Sequence, residues 1–461
     1  MERTLIGETT AKIGQEVLLK GWVNTRRDHG KIVFIDLRDR SGLVQVVFAR
    51  LASTEVSAKS RQVNLEEAKD LRSEWVVEIK GVVKERPKNL INPKLVTGTI
   101  EIEAKEIKIL AKSEELPFDT GVETLNVSLP TLLDYRPLSL RHSKNQAVFR
   151  VQETIIASFR KKLKDEGFTE IQVPTIVPSV TEGGSQVFEI KYFENKAYLG
   201  QSPQLYKQIM VGVFERVFTL AHAYRAEPSV TTRHLTEYLG LDVEMGFINS
   251  FQDIIDTVEE VIRSIFEKVA TERKADLTLF GATIPKLSEK IPQLKMREAQ
   301  QIIFERTKRD NRNEPDLEPE DEREICRYAL EKFGSDLIFI THYPTKKRPF
   351  YTYPDPADPE FTCSFDLLGR GLEWVTGGQR INNYETLLDH IKKWGNKPED
   401  FEIYLQAFKY GMPPEGGFCI GAERMTMQIL GLENIREASL FPRDMERIDI
   451  KLPKKEETTK K

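Results

Sequence analysis

VFTLAHAYRAEPSVTTRHLTEYLGLDVEMGF, residues 217–247, is the stretch that decides the fold. An apolar run ends in Tyr224-Arg225-Ala226-Glu227, a polar loop carries Arg233 and His234, and a second apolar run starts near Tyr238, which predicts an antiparallel hairpin. Such a hairpin fixes Arg225 on a sheet and leaves the loop free to close over a substrate, as phosphate chemistry requires. Around it, strand-like runs such as DLIFITHYP (336–344) follow one another without regular crossover helices. The sheet is therefore expected to be largely antiparallel rather than doubly wound.

Two further stretches carry charge where a sheet would present it. In GGFCIGAERMTMQILGL, 416–432, a Gly-rich strand turns into an apolar helix with Arg424 near its start. The glycines allow close backbone approach to a ligand, and the arginine can reach a terminal phosphate. In SFDLLGRGLEWVTGGQR, 364–380, Asp366 and Glu373 precede Thr376 and Arg380. Two carboxylates on neighbouring extended segments can hold a hard divalent cation against phosphate oxygens, or can simply balance arginines such as Arg370.

Upstream, Val148, Val151, Ile155, Ile156, Phe159 and Leu163 repeat at helical spacing, and FTEIQVPTIVPS follows with Pro174 and Pro178 around a strand, best tolerated at an edge. The first 110 residues differ: strand-like runs at 17–23, 32–39, 43–49, 75–83 and 100–110, with a polar helical stretch near 53–72. Three strands, a helix and two strands is the order of the oligonucleotide-binding barrel. The fold class is thus α+β, with a five-stranded barrel over 1–112, a linker over 113–143, a larger, mainly antiparallel domain flanked by helices over 144–450 and a disordered tail over 451–461.

Composition sets the outer limits. A chain of 461 residues is too long for one core, and none of its apolar runs approaches bilayer length. The N-terminus lacks the pattern of a secretory signal, so a cytoplasmic location is expected. Cys326, Cys363 and Cys419 are widely separated, with no metal-ligand spacing and no disulfide framework. Net charge is −4, yet residues 1–110 hold 20 Lys+Arg against 16 Asp+Glu, a weak sign that the N-terminal part meets phosphate.

Taken together, FTEIQVPTI, the Arg225 hairpin and GAERMTM resemble, in order and spacing, the three motifs of class II aminoacyl-tRNA synthetases. TEGGSQVF (181–188), QSPQLYKQ (201–208), TTRHLTEY (231–238) and GGQR (377–380) make the chain most similar, within subclass IIb, to the aspartyl-tRNA synthetases. Its catalytic part resembles the archaeal and eukaryotic type, while RPKNLINPKLVTGTIEIEA resembles the bacterial barrel.

The resemblance implies an ATP- and magnesium-dependent ligase acting on L-aspartate and on tRNA(Asp), alone or together with tRNA(Asn), and a homodimer in which the helix at 148–163 and the Pro174 strand bury an apolar face against a second copy. It assigns Arg225 to the α-phosphate and amino-acid carboxylate, Glu227 to adenine, Arg424 to the γ-phosphate, and Arg233 and His234 to the closing loop. Asp366, Glu373 and Thr376 match the metal-binding positions. Lys207 and Arg380 match the cations that hold the aspartate side chain, and Glu182, Ser202, Gln204 and Asp242 those around its α-ammonium. Asparaginyl enzymes typically carry an acidic residue where Lys207 stands. In the barrel, Phe34 and Gln45 match the positions that stack on and hydrogen-bond the middle anticodon base. Arg26, Arg27 and Lys31 can meet phosphates, and Asn24 lies at the position near the third base. Phe34, in the alternating run IVFIDL, could equally be core. A non-catalytic relative would usually lose a phosphate-binding arginine or a metal carboxylate, and here all are present.

Overall fold

The computed structural model describes residues 1–49, 67–179, 187–226 and 231–452, and the chain divides into two compact units, Met1–His142 and Ser143–Lys461. In the first, β1 (Glu16–Asp28), β2 (Ile32–Asp39), β3 (Gly42–Ala49), β4 (Val76–Glu85) and β5 (Ile100–Ala111) close into a barrel of order β1-β2-β3-β5-β4. Strand alternation sends Val33, Ile35 and Leu37 inward with Val17, Leu19, Val44, Val46, Ile79 and Ile102. Of the helix expected near 53–72, residues 67–70 are helical, 71–72 are not, and 53–66 lie outside the described residues.

Part of the stretch expected as a linker is tied to the barrel. Thr120 Oγ1 donates to buried Glu74 at 2.9 Å, and Arg38 and Arg141 pair with the same carboxylate at 2.9 and 2.8 Å. A buried carboxylate needs this many donors to offset its lost hydration. Two short helices, Leu129–Asp134 and Arg136–Ser139, follow within the same unit.

The second unit is built on an eight-stranded sheet of order β12-β13-β16-β17-β18-β11-β10-β6. Its strands are β6 (Thr169–Glu170), β10 (Arg216–Tyr224), β11 (Glu237–Gly246), β12 (Gln293–Lys295), β13 (Leu337–Thr341), β16 (Ser364–Gly369), β17 (Leu372–Gln379) and β18 (Glu415–Gly421). Pairing is antiparallel except at the two edges, β6 with β10 and β12 with β13. A three-stranded sheet holds β7 (Ile176–Val177), β8 (Glu189–Tyr192) and β9 (Asn195–Leu199), and a two-stranded one β14 (Pro354–Asp355) and β15 (Asp358–Thr362). Pro174 and Pro178 flank β7, an edge strand, where a missing N–H leaves no ladder bond unmade.

One sheet face carries the main core. Leu241, Val243, Phe365, Leu367, Phe418 and Ile420 meet helix Ser143–Asp165 through Val151, Ile155 and Phe159, and helix Phe251–Glu272 through Ile254, Val258 and Ile262. The residues between them on the same strands, Asp242, Glu244, Asp366, Gly417 and Cys419, therefore belong to the other face. The apolar stripe of helix Ser143–Asp165, expected to be buried against a second copy, is already covered inside this unit. No described helix is long and apolar enough to cross a membrane.

Candidate active site and nucleic-acid face

On that second face of the sheet lies a cavity of about 450 Å³, lined by Arg225, Arg233 and His234 of the hairpin. Helix Gln204–Phe214 contributes Gln204 and Lys207, with Ser202 just before it, and β11 contributes Asp242. Glu373, Thr376 and Arg380 come from β17 and its end, and Arg424 from the first turn of helix Ala422–Leu430. Segments scattered over more than 200 positions thus converge on one cavity. Glu182 and Glu227 lie outside the described residues.

One end of the cavity is dominated by arginines. Arg225 sits where β10 ends, its backbone N–H donating to Thr236 O at 2.9 Å and its guanidinium 5.5 Å from the Tyr238 ring centre. His234 Nδ1 is 2.7 Å from Thr231 Oγ1, and Arg233 lies 3.7 Å from Glu322. Arg424 Nη1 donates to the Glu373 carbonyl at 3.0 Å and to its Oε1 at 3.3 Å.

Asp366 sits differently from expectation. It does not line the cavity; its Oδ2 accepts from Arg348 Nη2 at 2.7 Å. Arg348 also donates to Thr376 Oγ1 at 3.2 Å and stacks 4.0 Å from the Tyr343 ring centre. Sequence reading missed Arg348 because TKKRPF offers nothing to set one surface cation apart from its neighbours.

The carboxylates nevertheless suit a hard cation. Asp366 Oδ1 is buried without a hydrogen-bond partner. Glu373 presents 37% of its side chain to the cavity, yet dense surrounding protein and then the charge of Asp366 push its carboxyl above the usual range. A divalent ion would relieve both conditions. Among the described residues no group of three His, Cys, Asp or Glu side chains is placed to hold a metal ion, so substrate oxygens would have to complete the shell. Glu322, on helix Pro319–Phe333, is pushed up to about 7 by burial and then by Glu373.

At the other end two cations are buried with their own counter-ions. Lys207 is 1% exposed, and its Nζ lies 2.9 Å from Asp242 Oδ1 and 3.1 Å from Glu244 Oε2. Burial alone would lower its pKa; Asp242 and Glu244 overcome that and hold the ammonium above its usual range. Arg380 donates from Nε to Glu244 Oε1 at 2.8 Å and from Nη2 to Gly417 O at 3.1 Å. Glu244 therefore grips both cations at once and fixes their spacing. It was absent from the sequence reading, although Asp242 and Glu244 stand two apart in the apolar run Leu239–Gly246, which was the available signal.

The Gly-rich run is explained by this cluster. A Cβ on Gly417 would lie 2.0 Å from Val243 O and 2.4 Å from Glu244 Oε2. The close approach expected toward a ligand is instead made to the protein's own carboxylate.

In the first unit, alternation puts Phe34 on the outer face of the barrel, half-buried, between inward Val33 and Ile35. Phe34 is opposite Arg27 in the ladder, with the His29 ring edge-on at 5.7 Å. Arg27 Nη2 donates to Asp36 at 3.0 Å and to Gln45 Oε1 at 3.3 Å, while Gln45 Nε2 donates to Glu101 at 3.0 Å. A half-buried ring on the outer face, flanked by amide and cationic groups, suits single-stranded bases. Arg26 donates to Lys69 O at 2.7 Å, and Lys31 is exposed. The Asn24 side-chain oxygen Oδ1 accepts from Arg38 Nη1 at 3.0 Å. Asn24 thus offers a base chiefly its N–H groups rather than a free donor and acceptor.

A family model described as tRNA synthetases class II (D, K and N) matches residues 128–445, and one described as an OB-fold nucleic acid binding domain matches residues 17–110. The aspartate–tRNA(Asp/Asn) ligase of Thermus thermophilus is 44% identical, covering 97% of this chain and 99% of that protein. For the aspartate–tRNA(Asp) ligase of Pyrococcus furiosus the figures are 38%, 94% and 96%. Among solved structures, the asparaginyl-tRNA synthetase from Pyrococcus horikoshii complexed with asparaginyl-adenylate superposes with a TM-score of 0.86 at 32% identity, covering 97% and 99% of the two chains.

Proposed function

We propose a function from one premise: the chain belongs to the class II tRNA synthetases (D, K and N), with an OB-fold nucleic-acid-binding domain ahead of the catalytic one. It works as an ATP-dependent ligase that activates L-aspartate and charges tRNA(Asp). The observation that carries the amino-acid choice is Lys207 and Arg380 held side by side by Glu244 in one cavity. Two fixed cations suit a side-chain carboxylate, whereas the neutral amide of asparagine would leave them underpaired. Fold alone does not discriminate, since the asparaginyl enzyme of Pyrococcus horikoshii superposes closely.

In the first step the aspartate α-carboxylate attacks the α-phosphorus of ATP and pyrophosphate leaves. In the second, a terminal ribose hydroxyl of the tRNA attacks the adenylate carbonyl and AMP leaves. Neither step needs a side-chain nucleophile, so rate comes from positioning and charge stabilisation. Arg225 faces the α-phosphate and Arg424 the γ-phosphate; Arg233 and His234 close from the loop; Glu182, Ser202, Gln204 and Asp242 surround the α-ammonium, with Glu227 near adenine. Asp366, Glu373 and Thr376 would hold magnesium, which when bound neutralises the triphosphate. Glu373→Gln is expected to raise the magnesium concentration giving half-maximal exchange about tenfold, and superimposable titrations would remove that role.

A homodimer is also part of this reading. Its support is the family and exposed Ile176 on β7, not the helix stripe, which is covered internally; sedimentation velocity is the check. The cytoplasm, where ATP and tRNA meet, is the proposed location, and fractionation tests it.

Phe34 and Gln45 are proposed to read the middle uridine, which aspartate and asparagine anticodons share. Both tRNAs would then be aspartylated, a reading supported by the Thermus relative's Asp/Asn name. Phe34→Ala should lower aspartylation of both transcripts alike, by about tenfold or more. Matched transcripts differing only at the third anticodon base test the breadth: rates within about tenfold support it, and a loss of about a thousandfold refutes it.

A further inference from the structure

Behind the two cations lies a third carboxyl group that the reaction does not use. Glu415, at the start of β18, is 0% exposed. Its Oε1 accepts from Gln208 Nε2 at 2.7 Å, and its Oε2 is buried with no partner. Among the described residues no cation lies within ion-pair distance of it. The groups that face it are Glu244 from β11, Arg380 from the end of β17, Lys207 and Gln208 from helix Gln204–Phe214, and Tyr404 from helix Glu402–Lys409.

The orientation of Gln208 is fixed from the other side. Its Oε1 accepts from Gln204 Nε2 at 3.1 Å and from Tyr404 OH at 3.1 Å, so its amide N–H can only point at Glu415. Gln204 in turn approaches Glu244 Oε2 at 3.4 Å and Arg380 Nη2 at 3.5 Å. A short chain of hydrogen bonds therefore links Glu415 to the groups that would meet the substrate.

We propose that Glu415 is a positioning residue for aspartate selection: a neutral carboxyl behind Glu244 that leaves Lys207 and Arg380 able to accept a further carboxylate. The inference rests on the aspartate reading given above. Charge counting supports it. Lys207 and Arg380 balance Asp242 and Glu244, so an ionised Glu415 would make the cluster negative before an anionic side chain arrives. An ion buried with one hydrogen bond and no counter-ion is also the form that burial disfavours most. Burial first, and then the charge of Glu244, push the Glu415 carboxyl well above its usual range. It is neutral at low pH and gains its charge only as pH rises, so aspartate affinity should fall on the alkaline side.

The test is the KM for aspartate in ATP–pyrophosphate exchange across pH, for the wild type and for Glu415→Gln, which keeps shape and removes the titration. Deprotonation of the substrate's own α-ammonium affects both proteins equally. The wild-type KM is expected to climb about tenfold more than that of Glu415→Gln toward alkaline pH, with kcat moving in parallel. Parallel KM curves would overturn the proposal. Absence of any aspartate-dependent exchange in the wild type would instead overturn the functional reading, a distinct result. Should Glu415→Gln fail to fold, infrared titration of the wild type decides: a protonated-carboxyl band must persist at neutral pH and vanish as the KM rises, and its absence refutes the proposal.

Discussion

Replacing Arg225 by alanine should lower aspartate-dependent ATP–pyrophosphate exchange by about a thousandfold while leaving the fold intact. Charge develops on the α-phosphate as the carboxylate attacks, and a fixed donor aimed at developing charge is worth about 10²–10³ in rate even when neutral. Arg225 is held by backbone: its N–H pairs with Thr236 O, and the adjoining hairpin ladder from Tyr224–Glu237 to Arg216–Met245 does not involve its side chain. Thermal unfolding of Arg225→Ala should therefore match the wild type closely. Exchange within a few-fold of normal in a folded variant would remove Arg225 from the chemistry.

The second large effect is expected at the paired cations, with two signatures. Arg380→Leu and Lys207→Met each remove a partner for the aspartate side chain and leave Glu244, which is 0% exposed, with one cation instead of two. Removing one partner of a buried ion pair costs about 3–5 kcal/mol. Lys207→Met should be the more destabilised, since Asp242 and Glu244 both lose a contact near 3 Å. Aspartate activation should fall below detection in both, and denaturant melts should show the stability loss. The reverse-charge change Lys207→Glu would crowd three carboxylates and is a poorer test, because folding itself would fail. A stable Lys207→Met variant that still activates aspartate would contradict the assignment.

Much of this was legible in the sequence where one physical rule acts alone. The barrel strands alternate cleanly, so their number and order could be read, while the phase that turns Phe34 outward and Val33, Ile35 and Leu37 inward was fixed only by the folded barrel. Pattern ends before pairing does, however. β1 continues through Arg26, Arg27 and Asp28, which pair with Ile35, Phe34 and Val33 although no apolar alternation marks them. The helical stripe Val148–Leu163 was read correctly as a buried face, but periodicity says only that a face is covered, not by what. Helix Phe251–Glu272 covers it, so the stripe is no argument for a dimer.

In the site, motif spacing located the cations and missed their internal partners. Arg348, Glu322 and Glu415 come from segments with no distinctive spacing, and Glu244 is marked only by standing two residues after Asp242; their importance arises from burial and from charges brought together by the sheet. Asp366 shows the same limit: its sequence position suggested a cavity-facing ligand, while the fold gives one of its oxygens to Arg348.

The central claim, that this cavity selects aspartate, is tested most directly by ATP–pyrophosphate exchange of the wild-type chain with aspartate and asparagine in parallel. The account predicts exchange with aspartate and at least a hundredfold less with asparagine, a difference of about 2.7 kcal/mol or more, as expected when buried charges meet a neutral isostere. Equal exchange, or a preference for asparagine, would contradict it.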